Sequence, residues 1–94
     1  MKHYIIVKYN DLVSDASEVE RQIKALFAPA AELDGIHSVS VHPAVMHSRI
    51  RFDLMIRVDM NRESLVLFDA SDIHKQWKTD FAHLIAHKVI FDCD

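Results

Sequence analysis

Glycine occurs once and proline twice in this 94-residue chain. That scarcity excludes a turn-rich sandwich and favours long regular elements. The single cysteine, Cys93, leaves no internal disulfide, so a reducing cytosol is the expected location. The net charge is -3 and no block of Lys or Arg occurs, which argues against a nucleic-acid partner. The apolar run from Tyr4 to Val7 is too short for a signal peptide or a membrane span. One glycine cannot build a phosphate-cradling loop, and no Ser-His-Asp nucleophile motif is present. What is present is a chain that is 50% hydrophobic, enough for one ordered domain over residues 1–94. A chain this short buries little core alone, and oligomerisation is a common remedy.

The hydrophobic pattern resolves into six main elements. Residues 3–9 read as a strand that is apolar on both faces, with Ile5, Ile6 and Val7 consecutive. A helix begins near Ser14–Glu20, where Asp15 with Glu18, or Ser17 with Glu20, has capping-box spacing. Val19, Ile23, Leu26 and Phe27 then recur at helical spacing. Pro29 breaks that helix, a short further turn through Leu33 is expected, and Gly35 supplies the exit. Residues 36–42 read as a second strand, 43–48 as a loop and 50–60 as a third strand. In the third strand Phe52, Leu54, Ile56, Val58 and Met60 alternate with Arg51, Asp53, Met55, Arg57 and Asp59. Asn61 can cap a short helix carrying Leu65 and Phe68. A further helix over 72–85 carries Ile73, Trp77, Phe81 and Leu84, and residues 88–93 form the last strand. The order is βαββαβ, an α+β ferredoxin-like pattern with a four-stranded antiparallel sheet and helices on one face. The helices cover only one apolar face. The other is expected to pair with a second copy about a two-fold axis, a homodimer through the open sheet face that includes Leu54 and Ile56.

Lys2-His3-x-Ile5-x-Val7-Lys8, Phe52-Asp-Leu-Met-Ile-Arg-Val-Asp59, His74 near a helix start and Ile90-Phe-Asp92 together resemble the stress-responsive dimeric α/β-barrel (Dabb) domains, over nearly the whole chain. The resemblance implies two ferredoxin-like subunits whose sheets close into one barrel, each with a pocket between sheet and helices and no cofactor. Candidate pocket residues are Ile5, Val7, Phe27, Met55, Phe68, Trp77 and Phe81. Family members include plant stress proteins and a polyketide cyclase. The cyclase's acid/base pair maps onto Phe68 and His74, so its tyrosine hydroxyl is missing here. Its strand-one histidine maps onto His3, and a second pocket histidine onto Asp53.

On this basis His74 is the candidate general base, with His3 and Asp53 beside it. An Asp next to a His favours imidazolium and can fix its tautomer. The alternative is that His3 and His74 are part-buried polar residues satisfied by backbone or by Asp53. His83 and His87 with Asp80 have helical metal-face spacing, but no further ligand completes a set and no metal is expected. His37, His42 and His47 fit solvated edge positions, and the Arg and Asp residues of the third strand fit cross-strand ion pairs. The favoured function is a small homodimeric barrel protein with a mainly apolar pocket for a small molecule. The alternative is a cofactor-free cyclase, isomerase or monooxygenase acting on a small carbonyl or polyketide-like compound. A pocket plugged by Phe68, Trp77 and Met55 would favour the first. Room for a ring beside His3, His74 and Asp53 would favour the second.

Overall fold

A computed structural model describes all residues 1–94. Strands β1 (Lys2–Tyr9), β2 (Ile36–Pro43), β3 (Leu54–Met60) and β4 (Ile85–Cys93) form one sheet in the order β2-β3-β1-β4, with every neighbouring pair antiparallel. Helix α1 (Ala16–Phe27) follows β1, and helices α2 (Leu65–Ala70) and α3 (Asp72–Phe81) lie between β3 and β4. The fold is the ferredoxin-like α+β arrangement read from the sequence.

Local chemistry explains most boundaries. Asp15 caps α1 by accepting from the Glu18 N–H at 3.1 Å. Only half of the capping box forms, because the Glu18 carboxylate turns to Arg21 and Gln22 instead. Pro29 ends the α-helix and sits in the first turn of a 3₁₀ segment, Ala28–Glu32, where its missing N–H is tolerated. Gly35 has φ 76°, and a Cβ there would lie 1.9 Å from the Ser64 hydroxyl, so no other residue fits without displacing that turn. Ser71 caps α3 through the His74 N–H at 3.2 Å.

Two boundaries differ from the sequence reading. β3 starts at Leu54 rather than at residue 50, because Ser48–Arg51 closes a turn that the Lys8 ammonium clamps through the carbonyls of Ser48 and Arg51. The last helix ends at Phe81 rather than near 85, and a 3₁₀ turn, Ala82–Leu84, leads straight into a longer β4. There Leu84 is captured by strand pairing: its carbonyl accepts from the Asn10 N–H at 2.9 Å.

The helices pack on one sheet face. Ile5 and Val7 of β1, and Leu54, Ile56, Val58 and Met60 of β3, meet Ile23, Phe27, Phe68, Trp77 and Phe81 in a single core. Leu54 and Ile56 are 2% and 0% exposed in the single chain. They therefore face the helices, which corrects their assignment to the open face. Strand one is apolar on both faces, so sequence alternation groups residues by face without saying which face the helices take. The open face carries the other alternation: Tyr4 and Ile6 of β1, Met55 and Arg57 of β3, and Val89 and Phe91 of β4, matched by register across the strands. Val89 and Phe91 are 45% and 57% exposed. Tyr4 lies against Phe91 at 6.4 Å between ring centroids, and the Arg57 guanidinium sits 6.0 Å over the Tyr4 ring.

Candidate functional site

The pairing register sends the sequence-nominated residues to opposite ends of β1. His3 pairs with Val58 and Asp92, whereas Asp53 lies beyond the start of β3 and donates its backbone N–H to the Val7 carbonyl at 2.8 Å. From His3 to Tyr9 is six residues of strand, about 20 Å at 3.3 Å per residue. Asp53 therefore does not join His3 and His74. The partner it was expected to supply is Asp92, whose carboxylate lies 2.5 Å from His3 Nδ1. Asp92 escaped sequence reasoning because only the β1–β4 register places it across from His3.

His3 and His74 do come together, on either side of Phe68. The His3–Phe68 and Phe68–His74 ring centroids are 5.6 Å and 5.4 Å apart, both edge-to-face. His74 stands in the first turn of α3, with Nε2 3.8 Å from the Asp69 carboxylate. Burial holds its pKa below the ordinary histidine value, Lys78, Lys88 and His3 add to this, and Asp69 opposes it. The imidazole is thereby biased toward its neutral form.

Around this group the space is full. Phe68 and Phe27 are 0% exposed and Trp77 1%. Phe27 meets the Trp77 ring edge-on at 5.4 Å, and Trp77 stacks on Phe81 at 5.4 Å. Ile5, Val7, Phe27, Phe68, Trp77 and Phe81, the residues proposed for a pocket wall, thus fill the layer between sheet and helices. Met55 belongs to neither the wall nor the plug, since it alternates with Leu54 and Ile56 and faces the open side. None of the five main cavities is lined by His3, Phe68 or His74.

The concavity between sheet and helix lies at the other end of β1. A cavity of about 420 Å³ is bounded by Tyr9, Asp53 and Leu54 of the sheet end, by Ser17 and Glu20 of α1, and by Ala44 and His47 of the β2–β3 loop. Asp53 anchors it: one carboxylate oxygen accepts from the Tyr9 N–H at 2.8 Å, and the other lies 3.8 Å from His47 Nδ1. The Tyr9 hydroxyl is buried and has no hydrogen-bond partner. Burial first, then the charges of Asp53 and Glu20, push its pKa up to about 12, so it stays a neutral phenol. Tyr9, Glu20 and His47 were not singled out together by the sequence. Each comes from a different element, and no local spacing joins them.

The remaining histidines and charges have simpler places. His83 is in the 3₁₀ turn and His87 in β4, and no three His, Cys, Asp or Glu residues are grouped to hold a metal ion. His37 and His42 are exposed and bond to Asn61 and Ser40. Arg57 pairs along its own strand with Asp59, through two bonds at 2.7 and 3.0 Å, rather than across strands as expected.

No protein-family model and no curated protein sequence matches the chain. Solved structures do. A dimeric ferredoxin-like protein of unknown function from Thermobifida fusca superposes with a TM-score of 0.80 at 14% identity, over 96% of this chain and 85% of that one. A protein from Arabidopsis thaliana gives 0.79 at 12% identity, over 99% and 92%. A Dabb family protein with a ferredoxin-like fold from Mesorhizobium loti gives 0.74 at 9% identity, over 99% and 93%. The fold is shared with these proteins. It is the fold that the resemblance to stress-responsive α/β-barrel domains implied.

Proposed function

We propose that the protein is a homodimeric, stress-associated binding protein that takes a small molecule in the cavity between Tyr9, Asp53 and the start of α1. One observation carries this reading: at the His3–His74 end aromatic side chains occupy the space between sheet and helices, and at the Tyr9 end it is open. Its volume falls in the range of small-molecule sites. The mainly apolar pocket expected from the sequence gives way here to one with two carboxylates and a phenol in its wall. The dimer would form through the open sheet face, centred on Tyr4, Ile6, Met55, Val89 and Phe91. Val89 and Phe91 are the most exposed of these, and two sheets packed face to face would bury their remaining apolar area, at roughly 25 cal/mol per Å². The single thiol, Cys93, fits a cytosolic setting.

The second reading, cofactor-free proton transfer with His74 as base, is favoured by the neutral bias of that imidazole and by the His3–Asp92 pair behind Phe68. It lacks space for a substrate and a hydroxyl at position 68.

The two readings separate in a fragment screen followed by nuclear magnetic resonance. Shifts clustered at Tyr9, Ser17 and Asp53, and abolished in a folded Ser17→Trp variant that fills the cavity, are expected. Shifts clustered at His3 and His74 would favour the enzyme instead.

A further inference from the structure

We infer that the Tyr9 end of the sheet docks on an anionic lipid surface, through two turns that stand on either side of the Tyr9–Asp53 cavity. Four of the nine large apolar side chains that the molecule exposes are gathered there: Leu12, Val45, Met46 and Ile50. β1 ends and β3 begins at this end, since Val7 pairs with Leu54. The β1–α1 turn and the β2–β3 loop therefore leave the sheet at the same end. Asn10 and Val13 line one side of the cavity, and Ala44 and His47 the other.

Both turns are fixed, and both put an aliphatic side chain at the apex. The Val13 N–H donates to the Asn10 carbonyl at 3.2 Å, and the Arg51 N–H to the Ser48 carbonyl at 3.1 Å. Leu12 and Ile50 thus occupy the same position of two hydrogen-bonded turns, and they are 69% and 80% exposed. A side chain braces each turn from behind. The Asn10 carboxamide accepts from the Leu12 N–H and donates to the His83 carbonyl. The Lys8 ammonium holds the carbonyls of Ser48 and Arg51. Turn apices ordinarily go to Gly, Pro, Asn, Asp or Ser, whose backbone preferences or side-chain bonds make the turn. Here the main chain and the two braces make it, and a leucine and an isoleucine are held out in water. A side chain on a fixed turn leaves little backbone freedom to lose when it enters an apolar phase.

Charge selects the surface. Residues 44–52 carry His47, Arg49 and Arg51 and no carboxylate, in a chain of net charge -3. Asp53, next in sequence, is turned back onto the Tyr9 N–H. On the other turn Asp11 is the one charge, and Asp15 caps α1. Cations therefore flank Ile50 on both sides. An anionic headgroup layer meets them while the apolar tips enter the acyl boundary. Two prongs separated by a cavity suit a fluid surface that closes round each, whereas a protein partner would have to match both in shape. The open-face dimer does not cover Leu12, which leads into α1 on the other side of the sheet. Val45 borders Ile6 and Met55 of the open face, so Leu12 and Ile50 carry the test. No helix is long and apolar enough to cross a membrane, and the contact is peripheral.

The experiment is cosedimentation of the whole protein with vesicles of phosphatidylcholine alone and of equal parts phosphatidylcholine and phosphatidylserine. Binding to the mixed vesicles is expected to be at least about tenfold tighter than to the neutral ones. Ile50→Ser and Leu12→Ser should each weaken it roughly tenfold. Arg49→Gln should weaken it about fivefold, on the mixed vesicles only. All three side chains are exposed, so circular dichroism should show the fold retained. Ile50→Trp should add indole emission that shifts to the blue on mixed vesicles, against a constant background from buried Trp77. No binding to mixed vesicles, equal binding to both kinds, or binding unchanged in the Leu12→Ser, Ile50→Ser double variant would overturn the inference. Retention on immobilised polyglutamate without vesicle binding would overturn it in favour of an acidic protein partner. The reading of the cavity is tested separately: fragment shifts at Tyr9 and Asp53 without vesicle binding would sink the docking surface and leave the cavity as a site.

Discussion

The two ends of β1 are built from the same alternation and end differently. At the His3 end a β-strand histidine meets Phe68, and the ring is locked by Phe27 and Trp77, leaving no room. At the Tyr9 end the aromatic ring stops short of a neighbour for its hydroxyl, and the chain enters the helix covering it through small residues, Ser14, Ala16 and Ser17. The difference lies in side-chain size on the helices. Large aromatic residues on α2 and α3 seal one end, and the small residues that suit a helix N-terminus leave the other open. The histidines at the familiar position therefore do not coincide with the open volume. The volume follows the packing.

The largest expected effect breaks the sealed end. Trp77→Ala should destabilise the fold by about 3–5 kcal/mol, because a fully buried indole leaves a cavity that neighbours cannot fill. Ser17→Ala at the open end should change stability by less than about 0.5 kcal/mol. Urea denaturation of both variants measures the contrast, and comparable losses would erase it. The open sheet face gives the next largest effect. Phe91→Lys should convert a dimer to folded monomers by sedimentation, since a desolvated unpaired charge is not tolerated in an apolar interface. Leu54→Lys should instead abolish folding, because Leu54 faces the helices. A wild-type protein of one-subunit mass at micromolar concentration would remove the dimer altogether.

Phe68→Tyr sharpens the comparison at the sealed end. The new hydroxyl would be buried beside two imidazoles and should cost about 1–3 kcal/mol unless one of them accepts it. Cyclisation of linear polyketide thioesters is expected from neither wild type nor this variant, because no space exists for the chain. Robust wild-type turnover that survives His74→Ala would refute both the inactivity and the residue assignment.

The smallest effects are in pH, and the two ends should respond oppositely. His74 has a folded pKa below its ordinary value of 6.5, so the unfolded state binds more protons in that window. Its contribution to stability is complete above pH 6.5 and is lost as pH falls through the folded value. Tyr9 has a folded pKa raised from 10.0 to about 12, so its contribution is complete below pH 10.0 and is lost as pH rises through about 12. Stability differences between wild type and His74→Gln should therefore change on the acid side. Those between wild type and Tyr9→Phe should change on the alkaline side. A reversed pair of slopes would show that burial at the two ends is misjudged.

The alternation of Leu54, Ile56, Val58 and Met60, the helical spacing of Ile23 with Phe27 and of Trp77 with Phe81, and the breaks at Pro29 and Gly35 were legible because each depends on neighbours within one turn or one strand. So was the element order. Three things were decided only in tertiary structure. Which alternation met the helices depended on where their apolar stripes lay, since β1 offers both faces. The partner of His3 depended on antiparallel register, which carries Asp53 to the far end and brings in Asp92 from β4. The cavity depended on the absence of a large side chain above Tyr9. Periodicity records what a residue is beside along the chain, and register and packing volume determine what it is beside in space.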